Sequence, residues 1–231
     1  MRLYIIRHGD PDYANDSLTE QGRREAEALA RYLCSLGLHE ICSSPAGRAR
    51  LTAQFTAEAT GLPVTVEDWT AELKGLRVPG EKRVLWDLDG DEVRNPAYLR
   101  EKDNWGLIER FEAVRAREEY ERVVRASDEF LARQGFVRAG GVYQVRGENR
   151  KRLAAFCHGG FGPLWVAHLL EIPLPLMWAG FFMHPSSVTT ILFDERKPGL
   201  ATPRCLGYGE LAHLRLAGVP PSPSGIIANY E

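Results

Sequence analysis

The chain opens with an unbroken apolar run, Leu3-Tyr4-Ile5-Ile6, that stops at Arg7-His8-Gly9. A short run of this kind, apolar on both faces, is the pattern of an internal strand in a parallel sheet. A helical period follows. Thr19 stands as an N-cap before a helix reaching about Cys34, with Gly22, Ala26, Leu29, Ala30 and Leu33 on one face. Glu20, Arg23, Arg24, Glu27 and Arg31 fall on the opposite, solvated face. Glu40 to Ser43 reads as a short strand. Ser44 reads as the next N-cap and Pro45 as the first helical residue, in a helix that runs to Thr60 and stops at Gly61. Leu62 to Val66 is the third strand, with Pro63 at its edge.

The alternation then breaks. From about Lys74 to about Arg150 there is no β–α rhythm, only turns around Gly75, Gly80 and Gly90 and one long amphipathic helix from roughly Leu107 to Gln134. Val142 to Val145 reads as a strand, joined through the Gly147-Glu148-Asn149 turn to a strand over Arg152–Cys157. No Pro/Ser-rich linker flanks the stretch, so it is expected to be a mostly helical insertion capping the strand ends. The pattern resumes with a helix from Phe161 to Leu170, a strand over Val188–Phe193 and an edge strand over Pro203–Leu206. The expected fold is a three-layer α/β/α sandwich on a mainly parallel sheet. It spans 1–231 as a single domain, with the insertion at about 74–150 and a loop-like tail at about 218–231.

Composition narrows the function classes. Twenty-nine Lys and Arg balance 31 Asp and Glu for a net charge of −2, mixed along the chain, so no nucleic acid and no membrane partner is expected. Cys34, Cys42, Cys157 and Cys205 lie far apart with no C-x-x-C pair, and three are read as buried thiols of a reducing compartment. With no leader-like start and no long apolar run, a soluble cytoplasmic protein is expected. An edge strand or the long insertion helix could carry a homodimer contact.

The candidate chemistry sits where strands end. In parallel sheets ligands bind beyond the carboxyl ends of strands. Arg7-His8 follows the first strand, Arg48 stands in the first turn of the second helix, and His158 follows Cys157. Alone, Arg7-His8-Gly9 reads equally as a strand with a polar end. Together these residues suit a phosphate: guanidinium forks match its oxygens in pairs, and a helix N-terminus adds free N–H groups. Cationic neighbours would keep His8 neutral and nucleophilic, and His158 could donate to phosphoryl oxygens. A leaving alkoxide also needs an acid. Glu72 is chosen, in Trp69-Thr70-Ala71-Glu72-Leu73-Lys74-Gly75, with Trp69 and Leu73 as apolar neighbours; Asp10, Glu20 and Glu92 stay as rivals.

These residues match a known family pattern. Arg7-His8-Gly9, Leu18-Thr19-Glu20-Gln21-Gly22 with Ala26, Ser43-Ser44-Pro45 through Arg48-Ala49 with Thr52-Ala53, and Cys157-His158-Gly159-Gly160 stand in the order of the histidine phosphatase superfamily. The chain therefore resembles that phosphoglycerate mutase-like superfamily over most of its length outside the insertion. The resemblance implies a phosphohistidine on His8, a phosphate pocket of Arg7, Arg48 and His158, an acid at Glu72, and no metal or organic cofactor. Gly159 follows His158 where the acid-phosphatase branch carries an aspartate, so the chain is similar to the other branch. Asp10, where many members carry Glu or Gln, and Pro11 make the substrate loop unlike that of the glycolytic mutases. The expected activity is hydrolysis of a small phosphomonoester. The alternatives are a phosphoglycerate-type mutase and a phospho-ligand binding protein without turnover.

Other features remain open between site and scaffold. His184 could approach the pocket from the next strand or serve structure alone. Asp87-Leu88-Asp89-Gly90-Asp91-Glu92 hints at calcium but has its glycine in the wrong place for an EF-hand loop, so a turn is expected. Trp86, Tyr98 and Trp105 could line a lid or pack the insertion. His39 and His213 have no evident partner, His168 falls on a packed helix, and the histidines show no metal-ligand spacing.

Overall fold

The computed structural model describes residues 1–94 and 104–226. Strands β1 (Arg2–Arg7), β2 (Pro11–Asp12) and β3 (Ser17–Leu18) lead to helix α1 (Glu20–Ser35). β4 (Glu40–Ser43), α2 (Gly47–Thr60) and β5 (Val64–Val66) follow. The middle of the chain holds α3 (Gly90–Arg94), α4 (Glu109–Glu112), the long helix α5 (Ala116–Arg133) and a hairpin of β6 (Phe136–Ala139) and β7 (Val142–Val145). The last part adds β8 (Arg152–Cys157), α6 (Phe161–Leu170), α7 (Leu174–Gly180), β9 (Val188–Lys197), β10 (Leu200–Glu210) and α8 (Ala212–Ala217).

Among the described residues the main sheet has eight strands in the order β5-β4-β8-β1-β9-β10-β7-β6. β5, β4, β8 and β1 are parallel, and each later neighbour runs against the one before it. Only β9 and β7 are therefore reversed, and six of the eight strands point one way. Alternate residues of the central strands feed two cores. Tyr4, Ile6, Ala154 and Phe156 face Leu29, Leu33 and Ala53 of α1 and α2. Leu3, Ile5, Leu153 and Ala155 face the larger core, with Phe130 of α5 and Phe161 and Trp165 of α6. The expected three layers are thus present.

Register places the site. Arg7 lies opposite Cys157, and the His8 N–H donates to the Cys157 carbonyl at 3.0 Å, so His8 and His158 leave adjacent strands together. Ser43 lies opposite Phe156, and the Ser44 N–H donates to the Phe156 carbonyl at 2.8 Å, which sets Ser44 beside His158.

Several expectations need correction. Ser44 does not cap the second helix: α2 starts at Gly47 from Ala46, which makes no side-chain cap bond. Thr19 does cap α1, accepting from the Gly22 N–H, and Gly61 at φ 72° ends α2. The long insertion helix begins only at Ala116, because Arg115 at φ 53° breaks the chain after α4, a local turn that apolar spacing does not record. Strand β10 covers Pro203–Leu206 but lies inside the sheet, because the hairpin β6–β7 supplies the outer strands on that side. Cys42 and Cys157 are buried, whereas Cys34 and Cys205 are exposed, so two thiols rather than three are sequestered.

Candidate active site

The protonation of His8 is legible from its two neighbours. Its Nδ1 lies 2.7 Å from the Gly9 carbonyl, which can only accept, so Nδ1 carries the proton. Arg48 Nε donates to His8 Nε2 at 3.2 Å, so Nε2 carries a lone pair. Burial, then His158 and the Arg7 and Arg48 guanidinium groups, hold the His8 pKa well below the ordinary histidine value. The ring is therefore neutral, with its one lone pair on Nε2 under Arg48.

Arg48 joins the second histidine to the same point. Its Nη2 donates to His158 Nδ1 at 3.1 Å, and Ser44 Oγ lies 2.7 Å from His158 Nε2. Burial, followed by Arg48 and Arg7, lowers the His158 pKa as well, and the two imidazoles meet edge to face with centroids 5.2 Å apart. In this arrangement Nδ1 of His158 is an acceptor. Asp16 completes the cluster: it takes the Gly47 N–H at 2.7 Å and Arg48 Nη1 at 2.6 Å. Burial works against the Asp16 carboxylate, but these bonds hold its pKa below the usual range. Thr52 Oγ1 accepts the Gly9 N–H at 3.0 Å and ties the loop after β1 to α2.

Arg7 is 5% exposed and lies against the Gly159 backbone, where an added Cβ would sit 3.1 Å from the guanidinium. Its Nη1 donates to the Met183 carbonyl at 2.6 Å and its Nη2 to the Ser224 carbonyl at 3.3 Å, while the buried Nε has no partner. The tail thus docks instead of hanging loose. Ser222 donates to Asp10 and its N–H to Glu25 at 3.2 Å, and Glu25 also accepts the Asp10 N–H at 2.9 Å.

Glu72 lies at the amino end of α6, accepting from the N–H groups of Leu73 at 3.1 Å, Gly160 at 3.2 Å and Phe161 at 3.0 Å. Burial raises its pKa above the usual carboxylate range, although those bonds and Arg7 act the other way. Gly160 is the close contact here: a Cβ would stand 2.8 Å from both Glu72 Oε1 and the Trp86 ring. The rival acids are engaged elsewhere. Asp10 accepts from Thr19 and Ser222, Glu20 is exposed beside Arg24, and Glu92 pairs with Arg83 and Arg110. A further carboxyl, Asp87, also reaches the cavity, its pKa raised by burial.

Arg7, Arg48 and Glu72 line one cavity of about 1190 Å³, walled by the insertion and by the turn after α7. His184 does not line it and packs on Phe182 and the Ser222 carbonyl. Trp86 lines the cavity, Trp105 is 2% exposed and packs on Phe111 and Tyr120, and Tyr98 lies outside the described residues. His39 accepts from Arg152 N–H, His213 stacks on Tyr32, and His168 meets Asp128 at 3.0 Å. Asp87 and Gly90 to Arg94 fall in helical turns, and no cluster of three or more metal-binding side chains occurs among the described residues. No helix is long and apolar enough to cross a membrane among those residues. Sequence reasoning missed Asp16, Glu25 and the tail. Ser44 was legible, but as a cap.

Comparison with known proteins places this chain in a family. The pattern of the histidine phosphatase superfamily (branch 1) matches residues 3–205. A protein of Cronobacter sakazakii named "Probable phosphoglycerate mutase GpmB" is 29% identical over 82 residues, 32% of this chain and 38% of that one. Its counterpart in Erwinia tasmaniensis is 28% identical over 102 residues, 40% of this chain and 46% of that one. The match thus spans less than half the length of these relatives. Among solved structures, an Entamoeba histolytica phosphoserine phosphatase superposes with a TM-score of 0.62 at 20% identity, over 92% of this chain and 98% of that one. A mycobacterial glucosyl-3-phosphoglycerate phosphatase gives 0.60 at 20% identity, over 90% and 98%. At this identity the likeness is one of fold.

Proposed function

The chain belongs to the histidine phosphatase superfamily, branch 1, and from that premise we propose that it is a phosphomonoester hydrolase working through a phosphohistidine on His8. The observation that carries the reading is the fixed tautomer of His8, with Nδ1–H on the Gly9 carbonyl and a lone pair on Nε2 beside Arg48. A phosphate entering the cavity would draw the Arg48 and Arg7 guanidinium groups onto its oxygens. Nε2 then attacks phosphorus while the bond from phosphorus to the ester oxygen breaks, and the Glu72 carboxylic acid gives its proton to the departing alkoxide. In the second half Glu72, now a carboxylate, takes a proton from water. That oxygen attacks phosphorus, the P–N bond breaks, and inorganic phosphate leaves with His8 neutral again.

His158 is proposed to hold the phosphoryl oxygens. Once Arg48 turns to the phosphate, Nδ1 can take up the hydrogen, because the Ser44 hydroxyl can donate to Nε2 as readily as accept from it. All of these steps use side chains of this chain. We take 1–231 as one working unit in the cytoplasm, with a small phosphorylated metabolite as substrate.

The mutase reading draws on the names of the relatives in two bacteria. It uses the same site and differs only in returning the phosphoryl group to bound product. Hydrolysis of p-nitrophenyl phosphate, lost in His8→Ala and accompanied by an acid-labile label on histidine, tests the proposal. Rapid isomerisation of 3-phosphoglycerate with a bisphosphate primer would replace it with the mutase. Binding of phosphate without turnover of any ester would leave a phospho-ligand binding protein.

A further inference from the structure

A single phosphoryl group leaves much of the cavity unexplained. Its volume of about 1190 Å³ lies above the range of roughly 300–1,000 Å³ that holds drug-sized ligands. Its lining cations outnumber its acids by five to three. Arg7, Arg48, Lys74, Arg77 and Lys82 line it against Glu72, Asp87 and Asp89, in a chain whose net charge is −2. A phosphomonoester brings at most about two negative charges, which Arg7 and Arg48 already match.

The surplus cations come from one folded segment. Val78 N–H donates to the Arg83 carbonyl at 3.0 Å and Leu85 N–H to the Leu76 carbonyl at 3.0 Å, with Arg77 opposite Val84. Side chains alternate along such a ladder, and opposed residues share a face. Leu76, Val78 and Leu85 therefore turn into the core, while Arg77, Lys82 and Val84 turn to the cavity. Glu81 and Glu92 pair with Arg83 and Arg110, and Asp89 with Arg83, which leaves Asp87 as the segment's remaining cavity carboxyl, its pKa raised by burial. Arg77 itself donates to a carbonyl, that of Lys82, at 3.3 Å.

The same cavity also has an aromatic wall. Trp86 lies against Gly160 beside Glu72, and its ring centroid is 5.8 Å from that of Trp178. An alcohol leaving past Glu72 therefore meets indole surface in the cavity that Arg77 and Lys82 also line.

We propose that the substrate is a phosphomonoester with a flat apolar body and a second anion, a carboxylate or a further phosphate. The body lies on Trp86, and the second anion is held by Arg77 and Lys82. This rests on the hydrolase reading above and assigns the far half of the same site.

Three matched esters test it: 2-naphthyl phosphate, the same ester with a 6-carboxylate, and naphthalene-2,6-diyl bisphosphate. Release of inorganic phosphate gives kcat/KM for each. Either probe with a second anionic group is expected to exceed the parent by about tenfold, the size of two partly exposed ion pairs. Which probe gains more tells carboxylate from phosphate. Arg77→Gln with Lys82→Gln should bring the ratio toward one, whereas Arg122→Gln with Arg125→Gln, the same charge change on exposed α5, should leave it. Equal kcat/KM for the parent and for the two probes with a second anionic group in the native protein would overturn the proposal, as would the same fall of the ratio in both double variants. If no ester turns over, the hydrolase reading fails by itself. Calorimetric titration of the same three compounds then decides the subsite, and equal affinities would overturn it.

Discussion

Arg48 Nε sits 3.2 Å from Nε2 of His8 and donates to the lone pair that the Nδ1 bond to Gly9 leaves on that nitrogen. The arginine thus covers the His8 lone pair and lowers the proton affinity of the ring. Arg48→Ala should reduce kcat/KM for p-nitrophenyl phosphate by about 100-fold or more, the scale of one lost oxyanion donor. It should also move the acid limb of the pH profile upward, because a cation that disfavours imidazolium is gone. A variant with an unmoved acid limb would disconnect Arg48 from His8.

Glu72 should matter in proportion to the leaving group. For an alkyl phosphate, whose alkoxide needs a proton, Glu72→Gln is expected to slow turnover by about 10²–10⁴-fold. For p-nitrophenyl phosphate the first transfer should survive, since that phenolate leaves unassisted, while the second slows for want of a base. Rapid mixing would then show a burst of nitrophenolate and a phosphohistidine that accumulates. Equal losses for both esters, without a burst, would assign the acid elsewhere, with Asp87 the next group to replace.

Gly160 is a steric hinge between the acid and the aromatic wall. In Gly160→Ala the new methyl would lie 2.8 Å from Glu72 Oε1 and from Trp86. Overpacking of this kind costs about 1–3 kcal/mol. Chemical denaturation should show that loss, and activity on alkyl phosphates should fall further than stability alone explains.

The tail should act through Arg7. Ser222→Ala removes the donor to Asp10 and the acceptor of the Ser224 N–H at 3.0 Å, and Ser224 supplies the carbonyl that holds Arg7. We expect phosphate or vanadate inhibition to weaken by about three- to tenfold, about one hydrogen bond in free energy. Unchanged inhibition would make the tail a passive cover.

Acid should unfold the protein through its neutral histidines. His8 and His158 are held far below the ordinary value by burial and then by neighbouring cations, and burial alone takes His213 to about 4. As pH falls through about 6.5 the unfolded chain takes up protons that the native chain refuses, so unfolding gains. Their contribution to stability is complete above about 6.5 and declines toward lower pH, by up to about 1.4 kcal/mol per unit for each histidine. Urea midpoints between neutral pH and pH 5 measure this, and His213→Asn should flatten the slope.

Much of the molecule is legible in local pattern. The period of apolar residues marks β1, α1, β4, β8 and α6, and Arg7, Arg48 and His158 stand out because each lies at the end of a strand or in the first turn of the helix after one. Glu72 could be named as a carboxylate after the third strand. What pattern could not separate it from was Asp10, Glu20 and Glu92, which differ from it only in what surrounds them.

The sequence by itself determined the β–α order, the strand ends and the basic residues standing on them, because these depend on neighbours a few positions apart. Tertiary structure decided the rest. Strand register put Ser44 on His158, 114 positions away, and turned a helix-cap signal into a histidine partner. Docking of the tail brought Ser222 to Asp10 across 212 positions and Ser224 to Arg7. Folding of the insertion set Trp86, Arg77 and Lys82 on the cavity that Glu72 enters. Burial and proximity choose a protonation state, and neither is written in the spacing of residues along a chain.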